Sequence, residues 1–241
     1  MDAVARAIRD LVIANRILAH NGVVDAYGHV SIRHPENPAR HFLARSMSPG
    51  IVGPDDIVEF THDGVPADPE KRPLYLERFI HGGVYEARPD INAVLHAHAE
   101  DVLPFTISSV PFRAVIQNAG DIGRSIPVWD IADKFGTNTD LLVRNIAQGR
   151  DLAAALGGGR MALMRSHGFV ATGRTLNDLV RLSVFIPRNA RVLMAALRLG
   201  GGLKELHDGE IAARLALDPE SPALRRGWEY WATEAGCADL L

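Results

Sequence analysis

Residues 93–98 read Ala-Val-Leu-His-Ala-His, and the chain is organised around this short run. Ile91, Ala93, Val94 and Leu95 form an apolar stretch that suits a buried strand. His96 and His98 stand two apart, so on a strand both rings leave the same face. Two imidazoles at the end of a rigid strand can grip a divalent metal. They can equally be hydrogen-bonded structural histidines, because a chain with ten histidines produces such a spacing readily. A metal centre needs further ligands, and their positions decide between the two readings.

Upstream, Leu76, Phe79, Ile80, Val84 and Ala87 recur at helical spacing, so 76–87 reads as a helix. Glu77 and His81 lie four apart on a neighbouring face of it. Arg88-Pro89-Asp90 ends the helix directly before the central strand, which lets Glu77 lie near the histidine pair. Downstream, residues 161–164 read as a second buried strand. Arg165-Ser166-His167-Gly168 is its exit, and the strand resumes at Phe169 and Val170. Glu77, His96, His98 and His167 then offer three imidazoles and a carboxylate, a ligand set common at catalytic zinc or manganese. His81 is read as a helical neighbour rather than a ligand. Arg165, beside His167 in sequence, is read as structural.

The remaining pattern supplies the scaffold. Residues 2–21 read as an amphipathic helix stopped by Asn21-Gly22. Residues 28–33, 42–45 and 56–60 read as short strands joined by turns, antiparallel by economy of connection. Residues 99–107 read as a short helix and 110–115 as a strand, with an edge strand at 125–129 that contains Pro127. A helix over 139–156 would be capped by Thr139. The longest helix begins at the capping pattern of 175–178 and runs to about 199, with a bend expected at Pro187. The tail, 207–241, reads as one or two short helices, its Trp228, Tyr230 and Trp231 packing in the core or an interface. Strands first, then alternating strands and helices, imply an α/β or α+β fold with one mixed sheet in a single domain over 1–241.

Bulk properties narrow the function. A formal net charge of −3 without a basic block gives no support to a nucleic-acid or membrane partner. The lone Cys237 excludes an intrachain disulfide and any cysteine-based zinc site, which fits the cytoplasm. No stretch approaches the roughly 20 apolar residues that span a bilayer, and neither a Gly-rich dinucleotide fingerprint nor a P-loop is present.

The runs G-H-V-S-I-R at 28–33, L-E-R-F at 76–79, R-P-D-I-N-A-V-L-H-A-H-A at 88–99 and S-H-G-F-V-A-T-G-R-T-L at 166–176 resemble the class II aldolase/adducin family over roughly 8 to 205. The resemblance implies a three-layer α/β/α sandwich with a largely antiparallel mixed sheet. It implies one divalent metal ion per subunit, zinc or manganese, on His96, His98 and His167. Glu77 falls at the position of the catalytic acid/base, sometimes a fourth ligand. A homotetramer with active sites at subunit interfaces is also implied.

The departures from the family's sugar-phosphate aldolases indicate the substrate. Those enzymes carry G-N-x-S where this chain has His29, a T-P-T-G-like loop where it has Ser48-Pro49-Gly50, and two serines where Tyr75 and Leu76 precede Glu77. Leu76 offers no hydrogen bond to a phosphate. The pattern is more similar to the branch that decarboxylates hydroxylated aromatic or pyridine dicarboxylates. The expected function is a carbon–carbon lyase that decarboxylates a small, non-phosphorylated carboxylate through a metal-stabilised enolate or phenolate, with a class II aldolase as the alternative. The expected substrate contacts are His29, Ser31, Arg45, Ser46 and Ser48, with a bidentate Arg45–carboxylate clamp. An adducin-like module without chemistry and a hydrolase are the competing classes, and retention of Glu77 and the three histidines argues against the module.

Overall fold

The computed structural model describes residues 2–241. Its centre is a seven-stranded sheet in the order β3-β2-β1-β4-β7-β6-β5. The strands are β1 His29–Arg33, β2 Arg40–Ala44, β3 Ile57–Thr61, β4 Ala93–Ala97, β5 Val128–Trp129, β6 Met161–Met164 and β7 Gly168–Gly173. All neighbours are antiparallel except the edge pair β5–β6, which is parallel. The expected mixed, largely antiparallel sheet and the α/β class are borne out.

β4 lies at the middle of the sheet, and its pleat sorts the molecule into layers. Ala93, Leu95 and Ala97 face one side, together with Val30, Phe169, Ala171 and Leu163. That face is covered by helices α1 Ala3–His20, α6 Leu176–Leu199 and α8 Pro222–Glu234, through Leu11, Ile17, Leu179, Leu182 and Trp231. Val94 faces the other side with Ala162, Met164 and Val170. Helices α2 Arg78–Ala87 and α5 Ile146–Leu156 cover it through Ile80, Val84, Leu152 and Leu156. Each fully buried Val, Leu or Ile contributes about 1.5–3 kcal/mol of transfer free energy. Both faces of β4, β6 and β7 are buried, which explains their unbroken apolar sequence.

Four expectations are corrected. The helix read over 76–87 begins at Arg78, and Glu77 is its N-cap residue. The helix read over 139–156 is α5 alone. Thr139 closes a local turn by accepting from the Leu141 amide, Leu141 takes a left-handed backbone (φ 68°), and Asn145 is the true N-cap, accepting from Gln148. Residues 110–115 form no strand. The amides of Val115 and Ile116 donate to the Asn189 side chain, whose Nδ2 donates back to the Arg113 carbonyl. A buried asparagine of α6 therefore stands where a neighbouring strand would. The first turn read as helix at 99–102 is irregular, and α3 Leu103–Ile107 starts next to Pro104. α6 runs unbroken through Pro187, and helices α4 Ala132–Phe135 and α7 Asp208–Leu215 complete the chain.

The contact between α2 and α5 fixes where Glu77 stands, and it is made by backbone. A Cβ on Gly83 would lie 2.4 Å from the Gly149 carbonyl, and one on Gly149 would lie 2.1 Å from the Phe79 carbonyl oxygen. Only glycine permits this approach. Gly83→Ala should therefore destabilise the protein by about 1–3 kcal/mol, as overpacking does, measured by chemical denaturation. A loss below 0.5 kcal/mol, the usual range for a neutral surface change, would mean that the two helices part without strain.

Candidate active site

The four expected ligands converge. Glu77 at the head of α2, His96 in β4, His98 one residue past β4, and His167 in the β6–β7 turn each place one donor atom within 4.8 Å of all the others. Glu77 Oε2 is 3.3 Å from His96 Nε2 and 3.4 Å from His167 Nε2. His96 Nε2 and His98 Nε2 are 2.8 Å apart. Two neutral imidazole nitrogens at that distance need either a proton between them or a cation in front of both.

The backbone sets the outward-facing nitrogens. His96 Nδ1 lies 3.1 Å from the Phe169 carbonyl, and His167 Nδ1 lies 3.0 Å from the Leu141 carbonyl. A carbonyl can only accept, so both Nδ1 atoms carry the proton and both Nε2 atoms present lone pairs to the cluster. Glu77 is oriented likewise: the buried Val143 amide donates to Oε1 at 3.0 Å, leaving Oε2 toward the imidazoles. Burial by itself raises the Glu77 pKa, but His96 and His167 beside it outweigh that and hold the carboxyl well below its ordinary range. Burial, followed by His96 and His167, lowers His98 to about 3, so its ring stays neutral at working pH. The donor set fits a divalent ion: neutral nitrogens, one carboxylate, and backbone carbonyls that hold the far side of two rings.

Two non-glycine residues beside the site have left-handed backbone, Leu141 (φ 68°) and Ser166 (φ 55°). Such conformations cost on the order of 1–2 kcal/mol each. The Leu141 carbonyl is the one that orients His167, and Ser166 turns β6 into β7 so that His167 faces Glu77. Gly168 follows because a Cβ there would lie 2.3 Å from the Ala97 carbonyl oxygen and 3.0 Å from the His98 ring.

A cavity of about 330 Å³ opens onto this cluster. Glu77 and His98 lie at its floor, and Tyr27, Met47, Tyr75, Leu76 and Leu142 form apolar walls, with His29, Ser46 and Ser48 as the added polar groups. A larger cavity, about 720 Å³, lies at the other end of β1 beside α1 and α8, away from the histidines.

The structure distributes the expected substrate contacts unevenly. His29, Ser46 and Ser48 line the cavity. Ser31 does not: it is fully buried, within 2.7 Å of His81 Nδ1 and 2.8 Å of the Tyr85 hydroxyl. Arg45 is also off the cavity wall, its Nε donating to Asp56 Oδ1 at 2.8 Å. Arg165 pairs with Asp130, in keeping with a structural role.

Sequence reasoning missed three participants. His81 is fully buried and 2.6 Å from His29 Nδ1. The Tyr75 ring packs 4.5 Å from that of His29, with its hydroxyl donating to the Met47 carbonyl. The segment 141–143 supplies backbone groups to His167 and Glu77. The spacing of four between Glu77 and His81 was the available signal for His81, since one helical turn from a site residue points toward the same layer.

Comparison with known proteins identifies the family and the fold. The chain is 32% identical to the decarboxylase tropJ of Talaromyces stipitatus, over 97% of this chain and 95% of that one. It is 28% identical to a 3,4-dihydroxyphthalate decarboxylase of Arthrobacter keyseri, covering 86% of each. A solved aldolase II superfamily protein from Pseudomonas syringae superposes with a TM-score of 0.80 at 18% identity, over all of this chain and 96% of that one, and shares the fold. The family described as the Class II Aldolase and Adducin N-terminal domain matches residues 9–194, and the chain belongs to that family.

Proposed function

We propose that this protein is a divalent-metal-dependent carbon–carbon lyase that decarboxylates a non-phosphorylated hydroxy-aromatic or hydroxypyridine carboxylate. The observation that carries the reading is the cavity itself: an ionised Glu77 beside three convergent imidazoles, under walls of Tyr75, Leu76 and Met47 that suit a flat ring. A sugar phosphate would need several hydroxyl or amide donors at its phosphate, and Tyr75 and Leu76 supply none there, the Tyr75 hydroxyl being spent on Met47. The names of the two relatives support decarboxylation over aldol cleavage.

His96, His98, His167 and Glu77 would hold the ion, which supplies Lewis-acid stabilisation of the negative charge that builds on a chelating substrate oxygen. The chain's own groups do the rest. Glu77 is ionised at rest, so its first action is to accept a proton from the substrate hydroxyl. The carbon–carboxylate bond then breaks, its electron pair staying on the ring carbon as CO2 leaves. Glu77 returns the proton to that carbon. The product departs as the phenolate and is protonated by solvent, so protons and charge balance. His29 and Ser46 line the cavity and would hold a second carboxylate, while Arg45 is spent on its ion pair with Asp56. Tyr27 and Leu76 stand 71% and 51% exposed at the cavity mouth, surfaces that a neighbouring subunit of a tetramer would cover.

Adding zinc, manganese or cobalt should raise the melting temperature. An ion at a hundred times its Kd stabilises by about 2.7 kcal/mol. His98→Ala and His167→Ala should abolish the rise while remaining folded. Metal content well below one per subunit, with no thermal response to any of the three ions, would point instead to a module without chemistry.

Glu77→Gln keeps an acceptor for the Val143 amide but cannot carry the proton. Its turnover should fall on the order of 10²–10⁴-fold with metal retained. The substrate class is tested by a CO2-release screen over hydroxylated aromatic and pyridine carboxylates beside an aldol screen on sugar phosphates. Efficient cleavage of a sugar phosphate, with CO2 released from nothing tested, would replace the decarboxylase with the aldolase.

A further inference from the structure

Behind the cavity wall runs a buried chain of polar groups that leads away from the metal cluster. His29 Nδ1 is 2.6 Å from His81 Nε2. His81 Nδ1 is 2.7 Å from Ser31 Oγ, and Ser31 Oγ is 2.8 Å from the Tyr85 hydroxyl. His81 and Ser31 are fully inaccessible, and Tyr85 and His29 are nearly so. The four side chains come from two elements only. His29 and Ser31 alternate along β1 onto the α2 face of the sheet. His81 and Tyr85 stand one helical turn apart on α2.

Hydrogen-bond accounting gives the chain a direction. The Tyr85 hydroxyl has no acceptor other than Ser31 Oγ among the described residues, so it donates there. Ser31 must then place its own proton. It can give it to His81 Nδ1 at 2.7 Å, or to the Val94 carbonyl at 3.5 Å. The first contact is a normal hydrogen bond and the second is at the limit of one. With Ser31 donating to Nδ1, the neutral His81 carries its proton on Nε2 and donates it to His29 Nδ1. His29 in turn carries its proton on Nε2, the nitrogen left for the cavity it lines. Reversed, the chain would leave the Ser31 proton on its long contact inside a dry interior, where a poorly made hydrogen bond is costly.

We infer that His81, Ser31 and Tyr85 are positioning residues that fix His29 as the Nε2–H tautomer, so that the substrate cavity is presented with a neutral hydrogen-bond donor for an anionic oxygen of the substrate. This rests on the reading of the cavity as a carboxylate-binding site and specifies how that carboxylate is met. The Tyr75 ring packs against His29 as well, with its centroid 4.5 Å away. The chain is a lock and not a proton wire: passing a proton outward through His29 would leave a buried tyrosinate, and burial raises the Tyr85 hydroxyl far above its ordinary pKa. Ser31, expected from the sequence at the substrate, acts on it through two histidines.

The test reads the tautomer directly. In long-range ¹H–¹⁵N spectra of zinc-loaded, histidine-labelled protein, the His29 signals are identified by their loss in His29→Asn. The expected pattern is a protonated Nε2 and an unprotonated Nδ1. In His81→Leu the pattern should shift to the other tautomer or to an average of the two, while His81→Gln, whose amide can donate to Nδ1, restores it. Ser31→Ala, which removes the proton donor to His81, should also release the lock and serves if His81→Leu does not fold. With a carboxylate substrate from the screen, the KM of His81→Leu should rise roughly ten- to a hundredfold, the loss of a hydrogen bond to a charged group, with a smaller change in kcat and recovery in His81→Gln. A wild-type His29 protonated on Nδ1 overturns the inference, as does a tautomer unchanged in both His81→Leu and Ser31→Ala. Because the spectra need no turnover, failure of the decarboxylase reading would leave that result standing.

Discussion

A carboxylate buried among imidazoles is unfavourable unless its charge is met, and this requirement governs the layout of the protein. Taking an ion out of water costs several kcal/mol even after the surroundings relax. Glu77 is 7% exposed. One of its oxygens takes a backbone amide from Val143, and the other faces His96 and His167. The two Nε2 atoms bring lone pairs to that oxygen, so its charge calls for a cation or a proton among them, as the His96–His98 contact does. The sheet, the α2–α5 contact and the 141–143 segment can all be understood as the means of holding those partners in place. The left-handed residues Leu141 and Ser166 sit at the two points where the chain must turn to bring a partner in, so backbone strain is concentrated where the site needs it.

The pleat of β4 and the register of its neighbours do the coarse positioning. His29 pairs with His96 across β1–β4, and His96 pairs with Val170 across β4–β7. A slip of one residue in β4 would turn His96 toward α1 and α6 and bring Leu95 under Glu77. The two hydrophobic layers forbid that slip, because Leu95 belongs to one and Val94 to the other. Core packing thus specifies the geometry of the histidine cluster, and two core residues, Phe169 and Val143, reach it directly through their backbones. The close approach of α2 to α5 through Gly83 and Gly149 performs the same service for Glu77. Its position is set by two backbones in contact, which is stiffer than any side-chain packing.

The sequence made the periodic parts legible and hid the parts held by single contacts. Alternation in 28–33 and the apolar runs at 93–97 and 161–164 state their strands directly, and the change to a 3.6-residue period states α1, α2 and α6. The four clustered residues are readable because their spacing relative to those elements is readable. The false strand at 110–115 shows the limit: its apolar pattern was real, but its amides are met by Asn189, a residue 74 positions away from Val115. The helix expected from Thr139 failed because a turn and a helix share the same start signal, and here the hydroxyl closes a turn at Leu141 before Asn145 opens the helix. Ser31 was placed at the substrate because alternation puts it on the correct face. Alternation says nothing about depth, and His81 and His29 lie between it and the cavity.

The choice of histidine at position 29 has a physical consequence for the substrate. An arginine or lysine buried this deeply would carry a full charge next to the metal cluster and would repel the cation there. A neutral imidazole fixed as a donor adds a dipole without that charge. Burial, reinforced by the nearby His96, lowers the His29 pKa well below its ordinary value, and burial does the same for His81. Both rings therefore stay neutral, and Glu77 is the one ionised side chain that lines the cavity. The proposed reading disfavours a dianionic sugar phosphate, which would meet no cationic side chain on the cavity wall. On that reading, a flat carboxylate would share the ion through one pair of oxygens and receive one directed N–H at another, a match in both charge and shape.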